Sequence, residues 1–190
     1  MTTTPRALHR NDLRKISGLP TNLSLQMAAA FLADLVEDPD FMDSEVLPFL
    51  KEPEGAGSWY VARRYDGEDG SLKVFVWPPG TGTRIHDHSS WGVYHCVMGS
   101  VLEERYKRLD DGSIPEHARL RKIWQLMWSP EDGCSTVLPG DGGIHRVTNL
   151  GEEVAVSVHL YGPRLGKIDG RDYDPSRDYV CDRSEDGGEK

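Results

Sequence analysis

Cysteine is scarce: the 190 residues hold three, Cys96, Cys134 and Cys181. An odd count at wide spacing excludes a disulfide framework, and no Cys-x-x-Cys pair offers a zinc site. Long apolar runs are missing too. The longest, MAAAFLA from Met27 to Ala33, falls far short of the roughly 20 residues that a bilayer span needs. Positive charge is in deficit, with 22 Lys and Arg against 31 Asp and Glu and a formal net charge of -9. That excludes the basic face by which a chain grips nucleic acid, and it disfavours an anionic membrane surface. The opening MTTTPRALHR lacks the apolar stretch of a secretory leader. No fixed-period repeat points to a solenoid or propeller, and no Gly-x-Ser-x-Gly elbow marks a hydrolase. The expectation is an acidic, cytoplasmic protein, a monomer or small homo-oligomer, with one core.

What is present divides into two textures. In LSLQMAAAFLADLVED, residues Leu25, Ala28, Leu32 and Leu35 recur at helical spacing among helix-favouring alanines. Pro39 and its acidic neighbours stop that helix, and SEVLPFLKE predicts a further helical turn broken by Pro48. From about Ser58, short runs rich in Val, Tyr and Trp alternate with turn signals such as DGEDG, PPGTG, DDG and PGDGG. That pattern predicts a mainly β barrel or sandwich. The chain then reads as one domain over 1–180: a helical cap over 1–57, a barrel over 58–162 and a C-terminal extension over 163–180. A mobile tail is expected over 181–190.

Two histidines stand one residue apart in GTGTRIHDHSSWGVYHCVMG. On a strand, His86 and His88 point the same way and can take adjacent positions on one metal. Gly80 precedes His86 by five intervening residues and Gly99 closes the stretch. Downstream, Gly133, Pro139, His145 and Asn149 follow in GCSTVLPGDGGIHRVTN. This pairing resembles the two motifs of the cupins, small β-barrels with a metal inside. The second motif has one residue more than usual between proline and histidine. The resemblance implies His86, His88 and His145 as ligands, with Gly92 where many cupins carry a glutamate. Three neutral ligands leave about three positions open on an octahedral ion and favour an anionic partner such as a thiolate, although zinc also suits three histidines. Of the other histidines, His9 and His117 read as solvent-facing and His95 as a packing residue.

VSVHLYG sets Ser157, His159 and Tyr161 on one strand face, where Ser can orient His and His can fix the tyrosine hydroxyl. HDH, HRVTN and SVHLYG in this order resemble the thiol dioxygenases of the cysteine dioxygenase family, over about Tyr60 to Gly162. The resemblance implies a cupin barrel with Fe(2+) held by His86, His88 and His145, and a Ser157–His159–Tyr161 triad beside it. It implies a reaction that adds both atoms of dioxygen to a substrate thiol, with L-cysteine or 3-mercaptopropionate as the small-molecule partner. A metal-dependent cupin of other chemistry, or a ligand-binding cupin without catalysis, is the alternative. Vertebrate members carry a cysteine, cross-linked to the triad tyrosine, where this chain has Gly92. Bacterial members commonly have glycine in an SWG stretch like Ser90-Trp91-Gly92, so no Cys–Tyr cross-link is expected and Cys96 does not replace it. For the substrate carboxylate, the family's Tyr-x-Arg pattern points to Tyr60 with Arg63 or Arg64. Strand parity sets Tyr60 with Arg64 unless a bulge intervenes. Arg164 and Arg171 are alternative anchors, and Trp77 and Trp91 are candidates for the apolar wall of the site.

Overall fold

The computed structural model describes residues 10–48, 57–164 and 168–183. Helix α1 spans Arg10–Ser17 and α2 spans Thr21–Val36. Leu25, Ala28, Leu32 and Leu35 form the buried stripe of α2, as their spacing predicts. Asp38 then caps a short segment, Pro39–Phe41, by accepting from the Asp40 amide at 2.9 Å. The turn expected around SEVLPFLKE appears over Met42–Val46 as a single wide turn; residues 49–56 lie outside the described residues, as does His9.

Two antiparallel sheets follow. One is built from β1 (Tyr60–Gly67), β2 (Gly70–Trp77), β9 (Ala155–Tyr161), β4 (Gly92–Met98) and β7 (Cys134–Val137), in that spatial order. The other runs β11 (Tyr179–Arg183), β10 (Gly170–Asp174), β3 (Ile85–His86), β8 (His145–Thr148), β5 (Val101–Arg108) and β6 (Leu120–Trp128). Together they form a mainly β cupin barrel with helices outside. Helix α2 lies on β4, β7 and β9, so the central strands β4 and β9 are buried on both faces. On β2, Leu72, Val74 and Val76 meet the helices, whereas Phe75 and Trp77 pack inside the barrel. His95, on the helix-facing side of β4, is buried with Nδ1 on the Cys96 carbonyl at 2.8 Å, a packing role as read from parity.

Three expectations need correction. Residues 181–183 are not tail but the end of β11, paired with β10 along five positions from Gly170↔Arg183 to Asp174↔Tyr179. Backbone pairing outweighs the charged composition that marks this stretch as mobile; residues 184–190 lie outside the described residues. His117 is half-buried rather than solvent-facing, because its backbone bridges to Tyr179 of the same hairpin. The strand at the histidine pair is two residues long, so His88 sits just beyond it. No helix among the described residues is long and apolar enough to cross a membrane.

Candidate metal centre

The second sheet brings the histidines together by register. His86 pairs with His145 across β3 and β8, and antiparallel partners share a face. His88, two residues on, turns to the same side. The ring centroids of His86 lie 4.7 Å from His88 and 4.6 Å from His145. One nitrogen from each ring falls within 4.8 Å of the others. Two nitrogens about 2.1 Å from one ion, at a right angle, stand about 3 Å apart; His88 Nε2 and His145 Nε2 are 3.1 Å apart. The donor set therefore fits a single metal ion.

The backs of the rings fix which nitrogen faces inward. His86 Nδ1 donates to the Arg84 carbonyl at 2.9 Å, and His145 Nδ1 donates to Glu103 Oε1 at 2.8 Å, leaving Nε2 lone pairs toward the centre. Burial, reinforced by the neighbouring histidines and Arg183, holds His86 and His88 well below the ordinary histidine range. Burial also lowers His145, although the Glu103 carboxylate pulls the other way. Unprotonated nitrogens are what a metal requires.

Glu103 carries no motif that would mark it in the sequence. It is fully buried and also accepts from Ser135 Oγ at 2.7 Å and Trp128 Nε1 at 3.0 Å, with Arg105 in ion-pair contact at 2.6 Å. Burial alone would raise its pKa; the His145 hydrogen bond and the Arg105 charge outweigh that and hold it down to about 2. The centre is thus not free of acid. The carboxylate that Gly92 does not supply stands behind His145 instead.

The opposite sheet supplies the triad. Ser157 Oγ lies 2.7 Å from His159 Nε2, and His159 Nδ1 lies 3.0 Å from the Tyr161 hydroxyl. Trp77, expected only as wall, extends the row by donating from Nε1 to Ser157 Oγ at 2.8 Å. Indole can only donate, so the order that satisfies each donor runs from Trp77 to Ser157 to His159 to Tyr161. It leaves the tyrosine hydrogen at the free end. Phe75 and Tyr94 flank the His159 ring at 4.4 and 4.9 Å. Burial, with charge from His145 and Lys73, keeps that ring well below its ordinary pKa. Tyr161 lies 5.0 Å from His88, ring to ring, which joins the row to the metal centre. Gly92 faces Tyr161 across β4 and β9; a Cβ there would stand 2.9 Å from the tyrosine ring carbons. Cys96 is buried and its thiol is pushed up to about 12 by that burial.

Of the expected carboxylate anchors, Arg64 shares the inner face with Lys73, whereas Tyr60, Arg63 and Arg171 are directed elsewhere. A bulge between Val61 and Arg63 breaks the parity of β1. Tyr60 packs into the helix-side core and Arg63 reaches Glu45 at 3.4 Å, both away from the lumen. Arg64, opposite Lys73 on the inner face, is half-exposed and bonds Asp66 at 2.5 Å. Arg164 pairs with Asp169 at 3.1 Å. Arg171 is bound to Asp87 and Asp141 on the outer side of β10. Trp91 belongs to the helix-side core and not to the wall of the site.

Fold and site together define a cupin barrel with a three-histidine metal centre. Residues 59–175 match the family described as cysteine dioxygenase type I, and the chain belongs to that family. Among solved structures it is similar to the TT1209 protein of Thermus thermophilus, at 18% identity over 60% of this chain and 91% of that one, with a TM-score of 0.44. A cupin superfamily protein of Desulfitobacterium hafniense matches at 14% identity over 62% of this chain and 89% of that one, TM-score 0.43. Oxalate oxidase in complex with glycolate matches at 18% over 61% of this chain and 55% of that one, TM-score 0.44.

Proposed function

We propose that the protein is a ferrous-iron thiol dioxygenase that converts a small thiol carboxylate, L-cysteine in the first instance, and dioxygen to the sulfinate. The observation that carries this reading is the row Trp77–Ser157–His159–Tyr161 on one sheet ending beside the three-histidine centre of the other. Iron held by His86, His88 and His145 would supply adjacent open positions where thiolate and dioxygen meet. The balance is RSH plus O2 giving RSO2H, a four-electron oxidation of sulfur that uses both oxygen atoms and needs no external reductant. Tyr161 donates its hydroxyl hydrogen to the oxygen that gains negative charge as it adds to sulfur. His159 holds that hydroxyl without taking its proton, because its flanking rings and burial keep it neutral and still. Phe75, Trp77 and Tyr94 keep water from the reacting sulfur.

Iron-loaded protein is expected to consume oxygen with L-cysteine or 3-mercaptopropionate and to yield a product heavier by two oxygen atoms. Tyr161→Phe should keep its iron and turn over about 10- to 100-fold more slowly. Absence of oxygen uptake with L-cysteine, 3-mercaptopropionate and cysteamine alike would defeat the reading.

A further inference from the structure

The second sheet ends in a strand whose outer edge is bare. β6 lies last in the spatial order and, among the described residues, pairs with β5 alone. It is nine residues long, and its Ile123, Trp124, Leu126 and Met127 are between 41% and 55% exposed. An apolar edge with unpaired N–H and C=O groups is a template for another strand, and chains that stay alone guard such edges with charge, brevity or a cover. The other three edges are guarded in these ways. β1 carries Arg63, Arg64 and Asp66, β7 is four residues long and touches α2, and β11 carries Asp182 and Arg183. β6 instead keeps its charge at the two ends, and the signs differ. Arg119, Arg121 and Lys122 stand at its start, whereas Glu131 and Asp132 lie in the turn Pro130–Asp132 that follows it.

We infer that β6 is the docking edge for a second copy of this chain, the two strands pairing antiparallel about a two-fold axis at Leu126. The ladder with β5 sets the register. Arg105 pairs with Trp124 and Tyr106 with Lys122, so Ile123 is the extra residue of a bulge. The regular stretch beyond it is Trp124–Trp128, and Leu126 is its midpoint. Pairing there sets Leu126 against its own copy and Trp124 against Trp128, aromatic pairs across the ladder on one face. It also lays Arg121 and Lys122 of each copy beside the acidic turn of the other, as a two-fold contact repeats every pair twice. A net charge of -9 on each copy opposes association in general, so opposite signs at both ends of the strand favour this orientation. The indoles are ordered before a partner arrives. Trp128 Nε1 donates to Glu103 Oε2 at 3.0 Å, Arg105 lies 5.9 Å over the Trp124 ring, and the two indoles are 6.4 Å apart. Aromatic anchors already held in place lose little entropy on docking. A groove of about 380 Å³ between these indoles and Cys134, Ser135 and Thr136 of β7 leaves the inner face of β6 open as well. The contact stands apart from the metal centre and does not depend on the reaction there.

The test is sedimentation velocity of the full chain over about 1 to 200 µM, where the wild type is expected to pass from monomer to dimer and no further. Leu126→Arg puts like charges on the axis and should weaken the dimer about 100-fold, while circular dichroism of the dilute protein stays that of the wild type. Arg121→Glu and Glu131→Arg each reverse two contacts and should weaken it about 10-fold. Mixed one to one, these two variants regain opposite signs at both ends and should dimerise with each other about as well as the wild type does. That recovery separates the interface from any effect on folding. A wild type that stays monomeric throughout, or that grows into larger assemblies, would overturn the assignment. So would a dimer that survives Leu126→Arg, or a mixture no tighter than either variant alone.

Discussion

Glu103 shows how much a single side chain can alter the character of a site. Three imidazoles alone would give a centre with the full positive charge of its ion, yet a buried carboxylate touches one of them at 2.8 Å. It fixes the His145 tautomer and strengthens its donor nitrogen. Glu103→Gln keeps the shape but loses the charge, and it turns an amide toward Ser135 and Trp128, which are themselves donors. Metal affinity is expected to fall by about 10- to 100-fold, measured by competition with a chelator of known strength; an unchanged affinity would reduce Glu103 to a packing role. The three ligands and the Ser157–His159–Tyr161 row are legible in the sequence because each is a short motif with fixed spacing. Glu103 is not, because in VLEERYKRL either parity offers an acid and a base, and nothing local says which pair faces inward.

Among the elements, β1 and the β10–β11 hairpin are where the sequence misleads. Alternation sets Tyr60 with Arg64, but one extra residue in a bulge reverses every side chain after it. The hairpin is rich in charge and so reads as solvated, yet its charges are engaged with the strand that carries the ligands. Asp87, between the two histidines and 1% exposed, accepts from the Arg171 amide at 2.6 Å, from Arg171 Nε at 2.8 Å and from the Tyr173 hydroxyl at 2.8 Å. That network clamps the hairpin to β3 from outside, and Arg183 adds a bond to the Asp87 carbonyl at 3.0 Å. Asp87→Ala removes the acceptor shared by the Arg171 amide, Arg171 Nε and the Tyr173 hydroxyl, and leaves the guanidinium only Asp141 on its exposed side. It is expected to cost about 3–5 kcal/mol of stability by denaturant titration and to loosen metal binding with it. A loss below about 1 kcal/mol would mean that the hairpin is held by its backbone pairing alone.

At the scale of the whole barrel, four neutral imidazoles are enclosed in one interior: His86, His88, His145 and His159, all lowered chiefly by burial. Their sign is common. Folded-state values below the unfolded value near 6.5 mean that the unfolded chain takes up protons which the fold refuses. The stability they confer is complete above about pH 6.5 and is lost as pH falls toward the folded values. Glu103 acts lower down, because its folded value near 2 lies under the ordinary 4.5, so its contribution persists until pH falls below about 4.5. Loss of stability between about pH 6.5 and 5 therefore belongs to the histidines, each at up to about 1.4 kcal/mol per pH unit. The thermal midpoint of metal-free protein should drop steadily from about pH 7 to pH 5. Metal-loaded protein should melt higher at about pH 7, and a chelator should remove that difference. Replacing His86 and His88 by Gln should flatten the pH slope even though it removes the metal site. A midpoint that stays level from about pH 7 to pH 5 would show that the interior admits protons, and that its imidazoles are open to water.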